Sequence, residues 1–224
     1  MAQDGCFQSF FVCAMRVTRL SSTGAPLTGV NDGYLAKAPV MVTVTPDRET
    51  GVELTAQNGC GALCAYYKQQ DQLKKYDINF ELCDLDNELI EILTEESLIT
   101  VVGETVGREF RRVGACQTTQ TVGVALEFWS NRWDSCAPPT GAAGASPYWH
   151  WFFPRAYLQV GETTMENDFM KVPIEGYLQE NPNFDAGVWT ENPFPAAAAP
   201  LLSMGAVIED SSIPTAACGY TQPT

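Results

Sequence analysis

Residues 76–83 read Tyr-Asp-Ile-Asn-Phe-Glu-Leu-Cys, an alternation that sets Ile78, Phe80 and Leu82 on one face and Asp77, Asn79 and Glu81 on the other. A period of two is that of a strand with one face buried. The period then changes. Leu85, Leu89, Ile92 and Leu93 fall at i, i+4, i+7 and i+8, which predicts a short acidic helix over 84–93 with one apolar stripe. Asp84 is the expected N-cap, because its carboxylate can accept from the first-turn amides, and Asp86 and Glu88 complement the positive end of the helix dipole. Burying four aliphatic side chains is worth roughly 6–10 kcal/mol of gross hydrophobic free energy before entropy is charged. So short a helix is stable only when its stripe packs, here against a sheet.

The remaining periodicity is that of strands. Residues 10–20 (FFVCAMRVTRL) form a strand with imperfect alternation, and 21–26 and 31–33 are turns by their Gly, Pro, Asn and Asp content. Residues 39–45 alternate cleanly, with Val40, Val42 and Val44 on one face, and Pro46-Asp47 is expected to close that strand. A shorter strand covers 52–56, a tight loop 58–61, and strand or loop candidates 101–107 and 110–115. Residues 121–129 read as a strand, 136–147 as a Gly/Pro-rich loop, 148–153 as an aromatic cluster, and 154–160 and 168–177 as two further strands. Residues 180–224 are expected to be an arm: a stretch spaced by prolines at 182, 193, 195 and 200, whose residues cannot make regular ladders, followed by a tail with little charge of its own. The expected organisation is one β domain over 1–179, with a loop insertion near 134–147, followed by this Pro/Ala-rich arm.

Composition supports a mainly β chain. Of 224 residues, 45% are hydrophobic, enough for one generous core, and 11 Phe, 8 Tyr, 18 Gly and 14 Pro suit short strands and turns better than a helical bundle. No apolar run approaches the ~20 residues of a membrane-spanning helix, and the first residues lack the basic start of a secretory signal, so a cytoplasmic site of synthesis is expected. In that compartment the eight cysteines are expected as free thiols. The net charge of −14 opposes any grip on nucleic acid, because phosphates are held by positive charge. It favours a surface along which a polyanion slides without sticking.

Candidate chemistry is sparse. Cys60 and Cys64 have a C-x₃-C spacing, but no C-x₂-C pair accompanies them and His150 is the single histidine, so no metal site is expected. His150 lies between Trp149 and Trp151 with no G-x-S-x-G motif in the chain, and a packing role is preferred to catalysis. The cluster Tyr148, Trp149, Trp151, Phe152 and Phe153 could stack sugar rings; its alternating faces favour a core or a subunit interface instead. The nine acids from 77 to 104 carry no calcium-loop pattern and read as a solvated face. Arg108, Arg111 and Arg112 concentrate positive charge and are candidate partners for such acids on a neighbouring subunit. No catalytic residue and no cofactor is expected.

In order along the chain, MRVTRL (15–20) with its turn STGAPLTG, the NGCG loop (58–61), the strand-to-helix passage LCDLDNELIEILT (82–94) and FPRAYLQVGETTMENDFMKVPIEGYLQENPNF (153–184) resemble the major tail tube proteins of long-tailed bacteriophages, especially those infecting actinobacteria. The resemblance spans most of the chain. It implies a β-sandwich or barrel with a flanking helix packed through Leu85, Leu89, Ile92 and Leu93, long hairpins and a C-terminal arm. Six copies would form a ring, and rings would stack through loops and arms into a tube whose acidic lumen conducts DNA. The implied partners are further copies, the tape measure, tail terminator and distal tail proteins, and transiting DNA; the implied location is the virion tail, assembled in the host cytoplasm. Trp149, Trp151 and Phe153, with the three arginines, are the candidate interface residues. Two other readings stand beside it: another virion β-protein, such as a capsid decoration or tail terminator subunit, and a carbohydrate-binding module built on the 148–153 aromatics.

Overall fold

The computed structural model of the chain describes residues 7–37, 39–82, 86–108, 122–134, 148–163, 171–182, 204–210 and 219–221. The fold is mainly β, one large antiparallel sheet with one short helix. Its strands are β1 (Phe7–Arg19), β2 (Gly33–Lys37), β3 (Met41–Glu49), β6 (Gln72–Leu82), β9 (Val124–Asp134), β10 (Tyr148–Val160), β11 (Val172–Leu178), β12 (Ala206–Asp210) and β13 (Gly219–Thr221). The order across the sheet is β13-β2-β1-β9-β10-β11-β6-β3, with β12 paired to β10 beside that path. Two hairpins complete the set: β4 (Glu53–Gln57) with β5 (Leu63–Lys68), and β7 (Leu98–Val101) with β8 (Glu104–Arg108).

The sheet curls. Phe80 of β6 and Phe128 of β9 lie three strand steps apart, ~14 Å in a flat sheet, yet their ring centroids are 5.7 Å apart in an edge-to-face contact. Curling turns the inner face upon itself and encloses Met15, Val17, Ile78, Phe80, Leu126, Phe128, Phe153 and Ile174. The helix α1 (Asn87–Thr94) joins this core with Leu89, Ile92 and Leu93, as their spacing predicts, and with Ile90, which is fully buried. Its N-cap is Asp86 and not Asp84: Asp86 Oδ1 accepts from the amides of Glu88 (3.1 Å) and Leu89 (3.2 Å). The hydroxyl of Tyr34 donates to the other carboxylate oxygen and fixes Asp86 to β2, so the helix starts two residues later than the cap chemistry alone suggested. Asp84 and Leu85 lie outside the described residues.

Two further expectations are corrected. Pro46 does not end its strand: β3 runs to Glu49, with Pro46 opposite Tyr76. A proline is tolerated because β3 is the sheet margin, pairing only β6 among the described residues. Pro154 likewise fails to separate the aromatic cluster from the next strand; β10 is continuous from 148 to 160, and the irregularity is absorbed in a register shift between Phe153 and Ala156. The 180–224 segment meets the sheet at two places beyond its proline-spaced stretch, at 206–210 and 219–221. β12 pairs residues 148–152 of β10 and β13 pairs β2. At its start, the buried Asn181 donates from Nδ2 to the carbonyls of Gly24 (2.7 Å) and Pro154 (3.1 Å), fastening the 21–26 turn to β10.

Candidate functional site

The central strands are buried on both faces. Inner rows Met15–Phe128–Trp151 and Val17–Leu126–Phe153 alternate with outer rows Ala14–Trp129–His150 and Arg16–Glu127–Phe152, and these outer residues are 0–7% exposed. Within the outer rows Arg16 donates side-on to Glu127, Nε to Oε2 at 2.6 Å and Nη2 to Oε1 at 2.9 Å. His150 Nε2 lies 3.0 Å from Glu127 Oε1. The imidazole stacks on Trp129 at 4.2 Å, and the Arg16 guanidinium stands 5.5 Å from the same indole. Burial alone would raise the Glu127 pKa; the Arg16 charge and the hydrogen bonds from His150 and Arg16 outweigh it and hold the carboxyl below its ordinary value. His150 is thus enclosed between a carboxylate and an indole face and serves the sheet. Arg16 and Glu127 are 111 residues apart, a pairing that no local sequence signal announces.

The described candidate interface residues lie on two elements, β10 and β8. Phe153 is a core residue at 5% exposure, in edge-to-face contact with Phe128 at 6.1 Å. Trp151, half-buried, donates from its indole N–H to Ser130 Oγ at 3.0 Å. Trp149, half-buried on the inner side of β10's far end, lies opposite Ser130 on β9 and Glu209 on β12. Arg108 ends β8 opposite Leu98, and Arg111 and Arg112 lie outside the described residues. Among the described residues of this set, Arg108 therefore lies on a separate hairpin from the three aromatics, which share the inner face of β10.

Exposed apolar surface sits elsewhere. Strands β3 to β6 form one long hairpin: β3 pairs β6, the amide of Gln69 donates to the Val52 carbonyl at 2.9 Å, and β4 pairs β5 up to the 58–62 turn. At the junction, a Cβ on Gly51 would lie 2.0 Å from the Gln69 carbonyl oxygen, so only glycine lets the two chains approach there. From Gly51 the arm reaches ~30 Å to its tip at ~3.3 Å per residue. Every residue of β4 and β5 is exposed. The register sets Val52, Leu54, Ala56, Ala65 and Tyr67 on one face, with Val52, Leu54 and Tyr67 at 57–60% exposure. Residues 54–67 carry no charge in a chain of net charge −14. At the tip, Asn58 Oδ1 accepts from the amides of Cys60 and Ala62, and Cys60 and Cys64 are exposed free thiols.

A second apolar feature is a groove of about 520 Å³ lined by Val44, Leu73, Tyr76, Trp151, Leu178 and Met204, among others. It arises from topology. β11 ends at Leu178, opposite Tyr76, while β6 continues to Gln72. Beyond that point β12 takes the place of β11 beside β10, leaving a slot between β12 and the end of β6. Lys74 and Lys75 stand next to it, around an adjoining cavity that shares Leu178, Glu180 and Met204. Among the described residues no three His, Cys, Asp or Glu side chains cluster as metal ligands.

The third is the β7–β8 hairpin, which turns through Val102 and Gly103 with φ of 55° and 87°. Two successive positive φ values suit Asn-Gly in a two-residue hairpin turn, and a β-branched residue there is strained by roughly 1–2 kcal/mol. Val102 is 99% exposed. No protein-family model matches this chain, and no curated protein does.

Proposed function

We propose that the chain is a self-assembling structural subunit of a bacteriophage tail tube, built from stacked hexameric rings around an acidic channel through which DNA passes. The observation that carries this reading is the 41–82 hairpin. A two-stranded ribbon is at best marginally stable alone in water, and this one projects an uncharged, apolar face that none of the described residues outside the ribbon covers. Such a face is satisfied by another protein surface. Like copies of charge −14 repel one another, so contact through uncharged segments is the economical way for them to meet. The margin strand β3, with one edge open among the described residues, offers a backbone ladder to a neighbour; pairing margins between copies removes edges that otherwise invite aggregation. The sequence resemblance to tail tube proteins points the same way.

The function is mechanical: an acidic wall repels a passing polyanion. Negative-stain electron microscopy across a concentration series of the purified full chain tests it. The expected outcome is open-ended tubes of uniform diameter with six-fold rings in cross-section. Rings that never stack would favour a tail terminator or decoration subunit, and a monomer at every concentration would overturn self-assembly itself.

A further inference from the structure

We infer that the β7–β8 hairpin is a docking plug, and that it seats Val102 in the apolar groove between β6 and β12 of a second copy of this chain. The inference rests on the self-assembly reading and adds which two surfaces meet. Val102 combines two unfavourable features: a branched side chain in the left-handed region and 99% exposure. Strain held at an exposed tip points to a role outside the chain's own fold. Around it, Ile99, Val101 and Val106 are 42–58% exposed, so the hairpin presents a compact apolar knob. The hairpin is held at its base by packing of α1 against β7 and β8.

The groove is the complementary surface. It is concave, its walls are Val44, Leu73, Tyr76, Trp151 and Met204, and Leu73 and Val207 remain 41% and 44% exposed. Charge fits as well. Residues 97–103 are uncharged, Glu104 follows directly, and Lys74 stands beside the groove, next to a Lys75 already held by Asp77 at 2.8 Å. Glu180 on the groove wall opposes this attraction; Lys74, paired to Glu49 across 3.5 Å with both side chains more than half exposed, is available to exchange that weak partner for Glu104. The β4–β5 arm is the poorer plug, because its apex is Asn-Gly-Cys-Gly and its apolar residues form a flat stripe. Knob and groove are different surfaces of one chain, so the contact is head-to-tail and propagates from copy to copy.

Val102→Asn in the full chain is the discriminating variant. Asparagine suits the left-handed turn, so the variant's thermal midpoint should hold or rise, while the concentration for half-assembly rises about ten-fold through loss of a buried valine. Leu73→Glu, in the groove, should reproduce the assembly loss. A benzophenone amino acid at position 102 should cross-link to groove peptides (72–76, 148–153, 204–207) of another copy. Wild-type assembly with Val102→Asn unaffected, or cross-links confined to other peptides, would overturn the docking alone. A wild-type chain that never assembles would overturn both the docking and the reading beneath it.

Discussion

Glu127 keeps its charge where an isolated carboxylate would take up a proton, and it does so because two donors converge on it. The side-on Arg16 contact and the His150 contact occupy both oxygens, while Trp129 covers the imidazole. Removing one member leaves the other charge buried and uncompensated, the situation that typically costs about 3–5 kcal/mol. Glu127→Gln should lower stability by that order in urea denaturation at neutral pH. The pH dependence has a definite sign. A carboxyl whose folded pKa lies below its unfolded value contributes stability that is complete above the ordinary glutamate pKa of about 4.3 and is lost as pH falls through the lower folded value. Wild-type stability should therefore decline below about pH 5, and the Gln variant should lack this part of the slope. None of this was legible in the sequence, where Arg16 reads as an irregularity in an apolar strand and Glu127 as one acid among many; burial on the second face and a register across 111 residues created the group.

Among the elements, α1 shows how far local pattern carries. Its apolar spacing identified Leu89, Ile92 and Leu93 as packing residues, and all three are buried. The pattern placed the cap at Asp84, and the structure places it at Asp86, where the Tyr34 hydroxyl delivered by β2 holds the carboxylate. Two variants separate these contributions. Leu93→Ala should cost 2–5 kcal/mol by leaving a cavity in the core, whereas Asp86→Ala should cost roughly 1 kcal/mol for the lost cap, with somewhat more from the Tyr34 bond, both read by chemical denaturation. Strand ends were misjudged at Pro46 and Pro154 for one reason. A proline breaks an interior ladder, but one edge of β3 is open among the described residues and β10 shifts register, and neither circumstance is visible along the chain.

For the whole molecule, charge and exposed apolar surface pull in opposite directions. Copies of net charge −14 repel, while the 41–82 hairpin, the β7–β8 hairpin and the groove keep exposed apolar side chains among the described residues. Salt shortens the range of the repulsion, with a Debye length of ~10 Å at 0.1 M, and leaves apolar contact little changed. Assembly measured by light scattering should therefore begin at lower protein concentration in ~150 mM salt than in ~10 mM. Salt-promoted dissociation would mean that ion pairs hold the copies together and that the apolar surfaces do not.

What the sequence alone determined follows from period and composition: a mainly β chain, the half-buried strand around Phe80, the helix beside it, the turns, and a net charge of −14. These are properties of neighbours along the chain, and side-chain periodicity records them. Tertiary structure decided the rest: that the sheet curls until Phe80 meets Phe128, that the strands β12 and β13 return to it, that Arg16 finds Glu127, and that a groove opens where β11 stops before β6 does. Each depends on which distant strands lie side by side and in what register, and that is fixed only when the two faces of every strand compete at once for the same core.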